Sequence, residues 1–242
     1  MKSAHFHSTG NNGVERMGGD HSSRVSVPIP SDLSEVVATQ FGDSVPLICE
    51  YVNLLANEGI EWGLIGPRET DRLWERHIVN SICVSPLIRK CLFVADAGSG
   101  AGLPGIVLAM ARPDLYVDLV EPMSRRCDFL EMCVSRLGLE STVNVVRSRV
   151  EDYRMAPDIV TCRALAGMST LIAMTSHLVP PSTLLAIKGA KAEVEIEGAR
   201  NLIKEQHLKA DIIRPKSRTT NSASLILGTV VRVARESDTK SS

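Results

Sequence analysis

The residues best suited to chemistry form one short run, Asp96-Ala97-Gly98-Ser99-Gly100-Ala101-Gly102-Leu103-Pro104-Gly105. It follows an apolar stretch and opens a helical pattern, the place where an open α/β sheet binds its ligand. Glycine permits tight curvature and close approach of a ligand to the backbone. Pro104 suits the first turn of the next helix, where its missing N–H costs nothing. Two ligand classes compete for this loop. Gly100, Gly102 and Gly105 meet the dinucleotide spacing G-x-G-x-x-G, which is weak on its own. Asp96, Gly98, Gly100 and Gly102 meet the acid-first pattern of methyltransferases that use S-adenosylmethionine. Charge separates the two. A pyrophosphate wants backbone donors at a helix N-terminus and no carboxylate beside them, whereas a sulfonium and an ammonium favour an acid. Asp96 therefore points to the methyl donor.

A second acid stands 23 residues beyond Gly98, where an apolar run ends in Val117-Asp118-Leu119-Val120-Glu121. Glu121 is placed to accept hydrogen bonds from both ribose hydroxyls, a device that NAD enzymes share. A third run ends at Val146-Arg147-Ser148-Arg149-Val150-Glu151-Asp152, where an acid or amide meets the adenine amino group. Basic residues that could meet an anionic partner are Arg76, Arg125, Arg126, Arg147, Arg149, Lys188, Lys191 and the Arg214–Arg218 segment, the last read as a loop. Lys188 stands out among them, because it ends an apolar strand at the sheet edge where ligands bind. His77 joins these candidates, although its helix also carries Trp74 and Ile78 and suits a core histidine equally. No Ser/His/Asp constellation appears. The six cysteines form no C-x-x-C pair and have no histidine at zinc spacing, so they read as small buried hydrophobes, with no metal site.

Composition frames these residues. With 242 residues, 44% of them hydrophobic and 23% charged, the chain has ample material for a core. A formal charge of −1 excludes a uniformly basic nucleic-acid binder but leaves room for a local basic face. No apolar run reaches the ~18–20 residues that span a bilayer, and the N-terminus has no signal-peptide pattern, so a cytoplasmic protein is expected. Residues 1–30, rich in Ser, Gly, Asn and His, read as a disordered tail, and 236–242 as a loose one. Residues 44–90 read as a helical N-terminal region: one helix ended by Gly59, then a second capped by Thr70. From 91 to 235 strands alternate with helices: strands at 91–96, 115–121, 143–147, 158–163, 182–188, 208–214 and 225–233, helices at 104–112, 124–137, 168–178 and 191–206. That alternation implies an α/β, Rossmann-like, mostly parallel sheet with helices on both faces.

Several pieces in this order resemble the bacterial 16S ribosomal RNA methyltransferase G family, also called glucose-inhibited division protein B. They are Asp96 through Ile106, Arg76-His77-Ile78, Ser148-Arg149-Val150-Glu151, Cys162-Arg163-Ala164 and Lys188-Gly189. The resemblance covers about residues 44–233. It implies a class I methyltransferase sheet behind a small helical region, and methyl transfer from S-adenosylmethionine to N7 of one guanine in the helix-18 loop of 16S rRNA. The partner it implies is 16S rRNA in the 30S particle or its precursor; separately, no metal and no membrane are expected, and a monomer is the expectation for an oligomeric state on which the sequence is silent. By position, Gly98 and Leu103 then line the donor site with Asp96, Gly100 and Glu121. Val150 and Glu151 lie against the adenine, and Arg163 completes the pocket. The chain departs from the family at Gly63-Leu64-Ile65 and at Asn80, where an acid is common. Guanine N7 carries a lone pair and no proton, so transfer needs positioning and no general base. Two other readings stand beside this one: a non-catalytic rRNA assembly factor on the same fold, and a NAD-dependent oxidoreductase, which Asp96 disfavours.

Overall fold

The computed structural model describes residues 24–90, 92–179, 181–218 and 224–235. Five parallel strands build most of its sheet: β1 (Phe93–Ala97), β2 (Tyr116–Val120), β3 (Val143–Val146), β4 (Ile159–Arg163) and β5 (Thr183–Lys188). Beyond them run β6 (Leu208–Ile213) and β9 (Thr229–Arg235), and the strand order is β3-β2-β1-β4-β5-β9-β6. β9 is antiparallel to both of its neighbours. The order reverses between β1 and β4, which pair directly with Asp96 opposite Thr161. Crossovers leave in opposite directions at such a switch point, and a crevice opens above the strand ends.

Continuous apolar strands need cover on both faces. Helices α4 (Gly105–Ala111) and α5 (Ser124–Arg136) cover one face together with the N-terminal helices. Helices α6 (Met168–Thr175) and α7 (Ala192–Glu205) cover the other. Strands and helices agree with their expected positions to within a few residues. The exception is the last run, 225–233, which Gly228 breaks into β8 (Ser224–Ile226) and β9. β8 pairs with β7 (Lys216–Arg218), so the Arg214–Arg218 segment is half strand where a loop is expected.

The N-terminal region contains more helix than its periodicity announces. Helix α1 (Ser34–Phe41), missed in the sequence, buries Val36, Val37 and Phe41. Helix α2 (Val45–Leu54) does not stop at Gly59; it continues through a wide turn, Leu55–Gly59, to residue 61. Gly63, at φ 71°, ends it instead, and the Gly59 carbonyl accepts the returning Leu64 and Ile65 amides. Thr70 is not a helix cap: it sits inside a 3₁₀ turn, Pro67–Arg72, and its hydroxyl donates to the Pro67 carbonyl. A wide helical segment, Leu73–Val79, and the short α3 (Asn80–Ile82) follow. Residues 24–30, expected within the disordered N-terminal tail, lie along α2 and its continuation. The Arg24 guanidinium donates to Glu58, the Val25 and Val27 amides donate to Asn57 and Asn53, and Trp74 donates to the Val27 carbonyl. Residues 1–23 and 236–242 lie outside the described residues, as does Cys91. Of the other cysteines, Cys83, Cys127, Cys133 and Cys162 are buried and Cys49 is partly so.

One buried hydroxyl joins the two parts. Tyr51 of α2 is fully buried and donates to the Ala101 carbonyl at 2.6 Å, beneath the glycine loop. Tyr51→Phe strands that carbonyl in an apolar site. A loss of about 1 kcal/mol is expected, read as a thermal midpoint lowered by roughly 2–4 °C. An unchanged midpoint would mean that α2 holds the loop by packing alone.

Candidate functional site

The glycine loop is built around Asp96. This carboxyl at the end of β1 is wholly buried, and its Oδ2 accepts from Ser99 Oγ at 2.6 Å and from the Gly105 amide at 2.9 Å. The loop between those donors is thereby folded back over the strand. Gly98, Gly100 and Gly102 adopt φ of 67°, 61° and 94°, the left-handed region that a side chain resists. A Cβ on Gly105 would sit 2.3 Å from Leu119 and 2.7 Å from Asp96 Oδ2, so only glycine lets α4 start there. The sequence reading made Asp96 a ligand group; the structure makes it the brace of the loop, with no exposed surface to offer. Burial raises its pKa from 3.8 to about 6, against the pull of Ser99 and the Gly105 amide.

Next to the loop stands Glu121, just past β2 and almost fully buried. Its carboxylate accepts from the Gly100 amide and from the Met123 amide, both at 3.0 Å, and Arg126 Nη1 approaches to 3.6 Å. The Gly98 and Ser99 amides donate to the Val120 carbonyl, which stitches the loop across the β2 end. Leu103 and Val150 are buried, while Glu151 and Arg125 are exposed. Gly98, Gly100 and Glu121 thus form one rim above β1 and β2, and Val150 and Glu151 follow at the end of β3. The rim carries acids and a curved backbone, which fit a ribose and a cationic amino-acid tail better than a pyrophosphate.

A cleft of about 1270 Å³ opens on the other side of the switch point, above β4 and β5. Arg76, His77, Arg163 and Lys188 all line it, with Asn80, so four scattered positions of the sequence come together. The Arg163 guanidinium donates to the Arg76 carbonyl (Nη1, 2.9 Å) and to His77 Nδ1 (Nη2, 2.7 Å). His77 Nε2 meets Glu69 Oε2 at 3.1 Å, and Arg76 Nη1 meets Glu69 Oε1 at 2.9 Å. Burial and the neighbouring Arg163 hold the His77 pKa below its ordinary value, only partly offset by Glu69. Lys188 is less available than its position at a strand end suggested. Its ammonium donates to the Ala166 carbonyl at 2.5 Å and to Glu195 Oε2 at 2.7 Å. Glu195 also accepts the Met168 amide, so this pair clamps the 163–168 loop.

That loop connects the two halves of the site. Arg163 lines the cleft, Ala164 takes a left-handed φ of 53°, and Leu165 packs on Gly98 so closely that a Cβ there would lie 2.5 Å from Cδ1. Sequence reasoning missed Tyr51, Glu69, Leu165 and Glu195. Each acts through a partner distant in the chain or on another element, and no short motif marks it.

The buried carboxyl of Asp96 has a measurable consequence. Because its folded pKa is raised, the native chain retains a proton that the unfolded chain releases between pH 4 and 6. Native stability therefore falls as pH rises through that window. Asp96→Asn keeps an acceptor and removes the charge. Relative to wild type, this variant should gain up to roughly 3 kcal/mol between pH 4 and pH 7, from about two pKa units at 1.36 kcal/mol each. Urea unfolding at the two pH values reads the difference; a constant difference would show that Asp96 titrates normally.

Comparisons with known proteins give the family and the fold. The family model described as rRNA small subunit methyltransferase G matches residues 45–222. The Ribosomal RNA small subunit methyltransferase G of Thermobifida fusca is 44% identical over 216 residues, covering 88% of this chain and 90% of that protein. Its namesake from Mycolicibacterium smegmatis is 46% identical over 184 residues, 74% of this chain and 76% of that protein. Among solved structures, magnesium protoporphyrin IX methyltransferase from Synechocystis, determined with bound S-adenosylmethionine, aligns with a TM-score of 0.53. At 15% identity, over 76% of this chain and 94% of that one, this likeness concerns the fold alone. With the family model covering residues 45–222 and these relatives covering 74–88% of the chain, this protein belongs to the rRNA small subunit methyltransferase G family.

Proposed function

We propose that the protein transfers a methyl group from S-adenosylmethionine to N7 of a guanine in the helix-18 loop of 16S rRNA. The observation that carries this reading is the adjacency of two unlike sites. An acidic, glycine-curved rim stands above β1 and β2, a mixed-charge cleft stands above β4 and β5, and Leu165 and Arg163 span the boundary. In this reading residues 91–235 form the donor-binding unit, and the helical region before it walls the cleft.

S-adenosylmethionine, when bound, supplies an electrophilic methyl group. The residues that would hold it are Gly98 and Gly100 of the loop, Leu103, Glu121 toward the ribose, and Val150 with Glu151 toward the adenine. Asp96 serves by keeping the loop curved. The remaining task of the chain is to hold a base still. Guanine N7 already presents a lone pair, so no side chain has to remove a proton first. The cleft carries Arg72, Arg76 and Arg163 beside Asp32, Asp71 and Glu75. Such a lining suits an extruded base, whose O6 accepts from a guanidinium and whose N1–H and N2–H₂ donate to carboxylates. Phosphates fall instead to exposed cations, among them Arg125, Arg147 and Arg149 beside the rim and Lys216 of β7 beside the cleft. This division reconciles an anionic substrate with a formal charge of −1. Among the described residues no helix is long and apolar enough to cross a membrane. The substrate on this reading is the 30S particle or its precursor in the cytoplasm, met by a monomer.

Tritium transfer from labelled donor to purified 30S particles, with the modified base identified by mass, tests the proposal. Label in 7-methylguanosine is the expected outcome; no transfer to any particle or precursor would favour an assembly factor. Glu121→Ala should weaken donor binding by ~10- to 100-fold in calorimetry, from about 1.5–3 kcal/mol lost, while the fold persists. Unchanged affinity would remove Glu121 from the ribose site.

A further inference from the structure

Arg163 is the cation closest to the boundary between donor rim and cleft, and the way it is held is unusual. Among the described residues no carboxylate lies within ion-pair distance of it. Its two terminal nitrogens donate to neutral acceptors, the Arg76 carbonyl and His77 Nδ1. A guanidinium held by neutral acceptors forms no direct ion pair there, and the buried Asp96 carboxyl and Tyr51 act on its charge only through space. Such an arrangement needs His77 to present a lone pair from Nδ1, and therefore to carry its proton on Nε2. Arginine has no acceptor and a carboxylate has no donor, so the partners of the ring dictate this tautomer.

Glu69 enforces it. Its Oε2 accepts from His77 Nε2 at 3.1 Å, and its Oε1 pairs with Arg76 at 2.9 Å. One carboxylate on the 3₁₀ turn Pro67–Arg72 thus grips both residues that grip Arg163. Remove it, and the His77 proton is free to reside on Nδ1, where it faces a guanidinium N–H. We infer that Glu69 is a positioning residue for methyl transfer: through His77 and Arg76 it fixes the orientation of Arg163 without itself meeting either substrate. This inference rests on the proposed reading that Arg163 serves the reaction.

The charged groups facing His77 are Glu69 from the 3₁₀ turn, Arg163 from β4 and Arg76 from its own segment. Protonated His77 has no acceptor to offer Arg163, so activity should fall as pH drops through the histidine's pKa, which lies below its ordinary 6.5. Glu69 raises that pKa; without the carboxylate charge the acid limb moves to lower pH. Glu69→Gln keeps an oxygen to accept from Nε2–H and loses the charge.

The experiment measures kcat and KM for 30S methylation across pH for wild type, Glu69→Ala, Glu69→Gln and Arg163→Ala, with donor affinity by calorimetry and the thermal midpoint of each variant. Glu69→Ala should lower kcat/KM roughly 10- to 100-fold through misplacement of Arg163, with donor bound as in wild type. Glu69→Gln should recover most of that loss and show its acid limb displaced to lower pH. If Glu69→Ala proves unstable, the Glu69→Gln pH profile alone decides. A normal Glu69→Ala rate beside an inactive Arg163→Ala overturns the inference and spares the reading of the site. An Arg163→Ala enzyme that methylates normally overturns both. An acid limb unmoved in Glu69→Gln also overturns the inference, because a carboxylate that merely packs the turn has no hold on the histidine.

Discussion

The site depends on one buried carboxyl. Asp96 is the penultimate residue of a central strand, has no exposed surface, and spends one oxygen on the Ser99 hydroxyl and the Gly105 amide. Those two bonds span the glycine loop and force it to turn back above β1, which is why three successive alternate glycines take left-handed backbone angles. The cost is visible in the carboxyl itself, whose other oxygen is buried without a hydrogen-bond partner and whose pKa climbs toward neutrality. Burying a charge is unfavourable unless it is paired or bonded. Here the unfavourable group shapes a loop that apolar packing alone would leave free to choose other conformations.

Around that loop the helical N-terminal region does more than cap the sheet. Tyr51 reaches the Ala101 carbonyl from below, while the turn carrying Glu69 reaches Arg163 through His77 from the cleft side. Trp62 meets Phe129 of α5 edge to face at 5.8 Å, which anchors the region to the sheet layer. A class I sheet can hold a donor on its own strand ends. The region in front of it supplies one wall of the cleft, so the cleft is assembled by tertiary contact between two segments.

Charge is distributed in keeping with that division. A chain with near-zero formal charge has no general attraction for RNA, and its cleft mixes carboxylates with guanidinium groups. In the proposed reading, paired charges in the half-enclosed cleft read hydrogen-bonding patterns, whereas exposed charges outside it supply the salt-dependent contacts to phosphate. Lys188 illustrates the difference. Standing at a strand end in the cleft, it resembles a phosphate ligand in sequence, yet its ammonium is consumed by Glu195 and the Ala166 carbonyl.

Local pattern sufficed for the sheet, the glycine loop and the acid at the end of β2. Each is written in contiguous residues: apolar runs of strand length, helical periodicity between them, and an acid-first glycine spacing of the methyltransferase pattern. The resemblance of several such pieces to one family extended the reading to the substrate. Tertiary structure decided the rest, because the deciding contacts join residues far apart in the chain. Arg163 meets His77 across 86 positions and Tyr51 meets Ala101 across 50. Helix α1, the continuation of α2 past Gly59 and the seating of residues 24–30 escaped the sequence for a related reason. Their propensities are weak or contrary, and burial against neighbouring helices overrides them. The exchange of roles at Asp96 and Lys188 has the same origin. A side chain's type states what it can bind, and only its surroundings in the fold state what it has already bound.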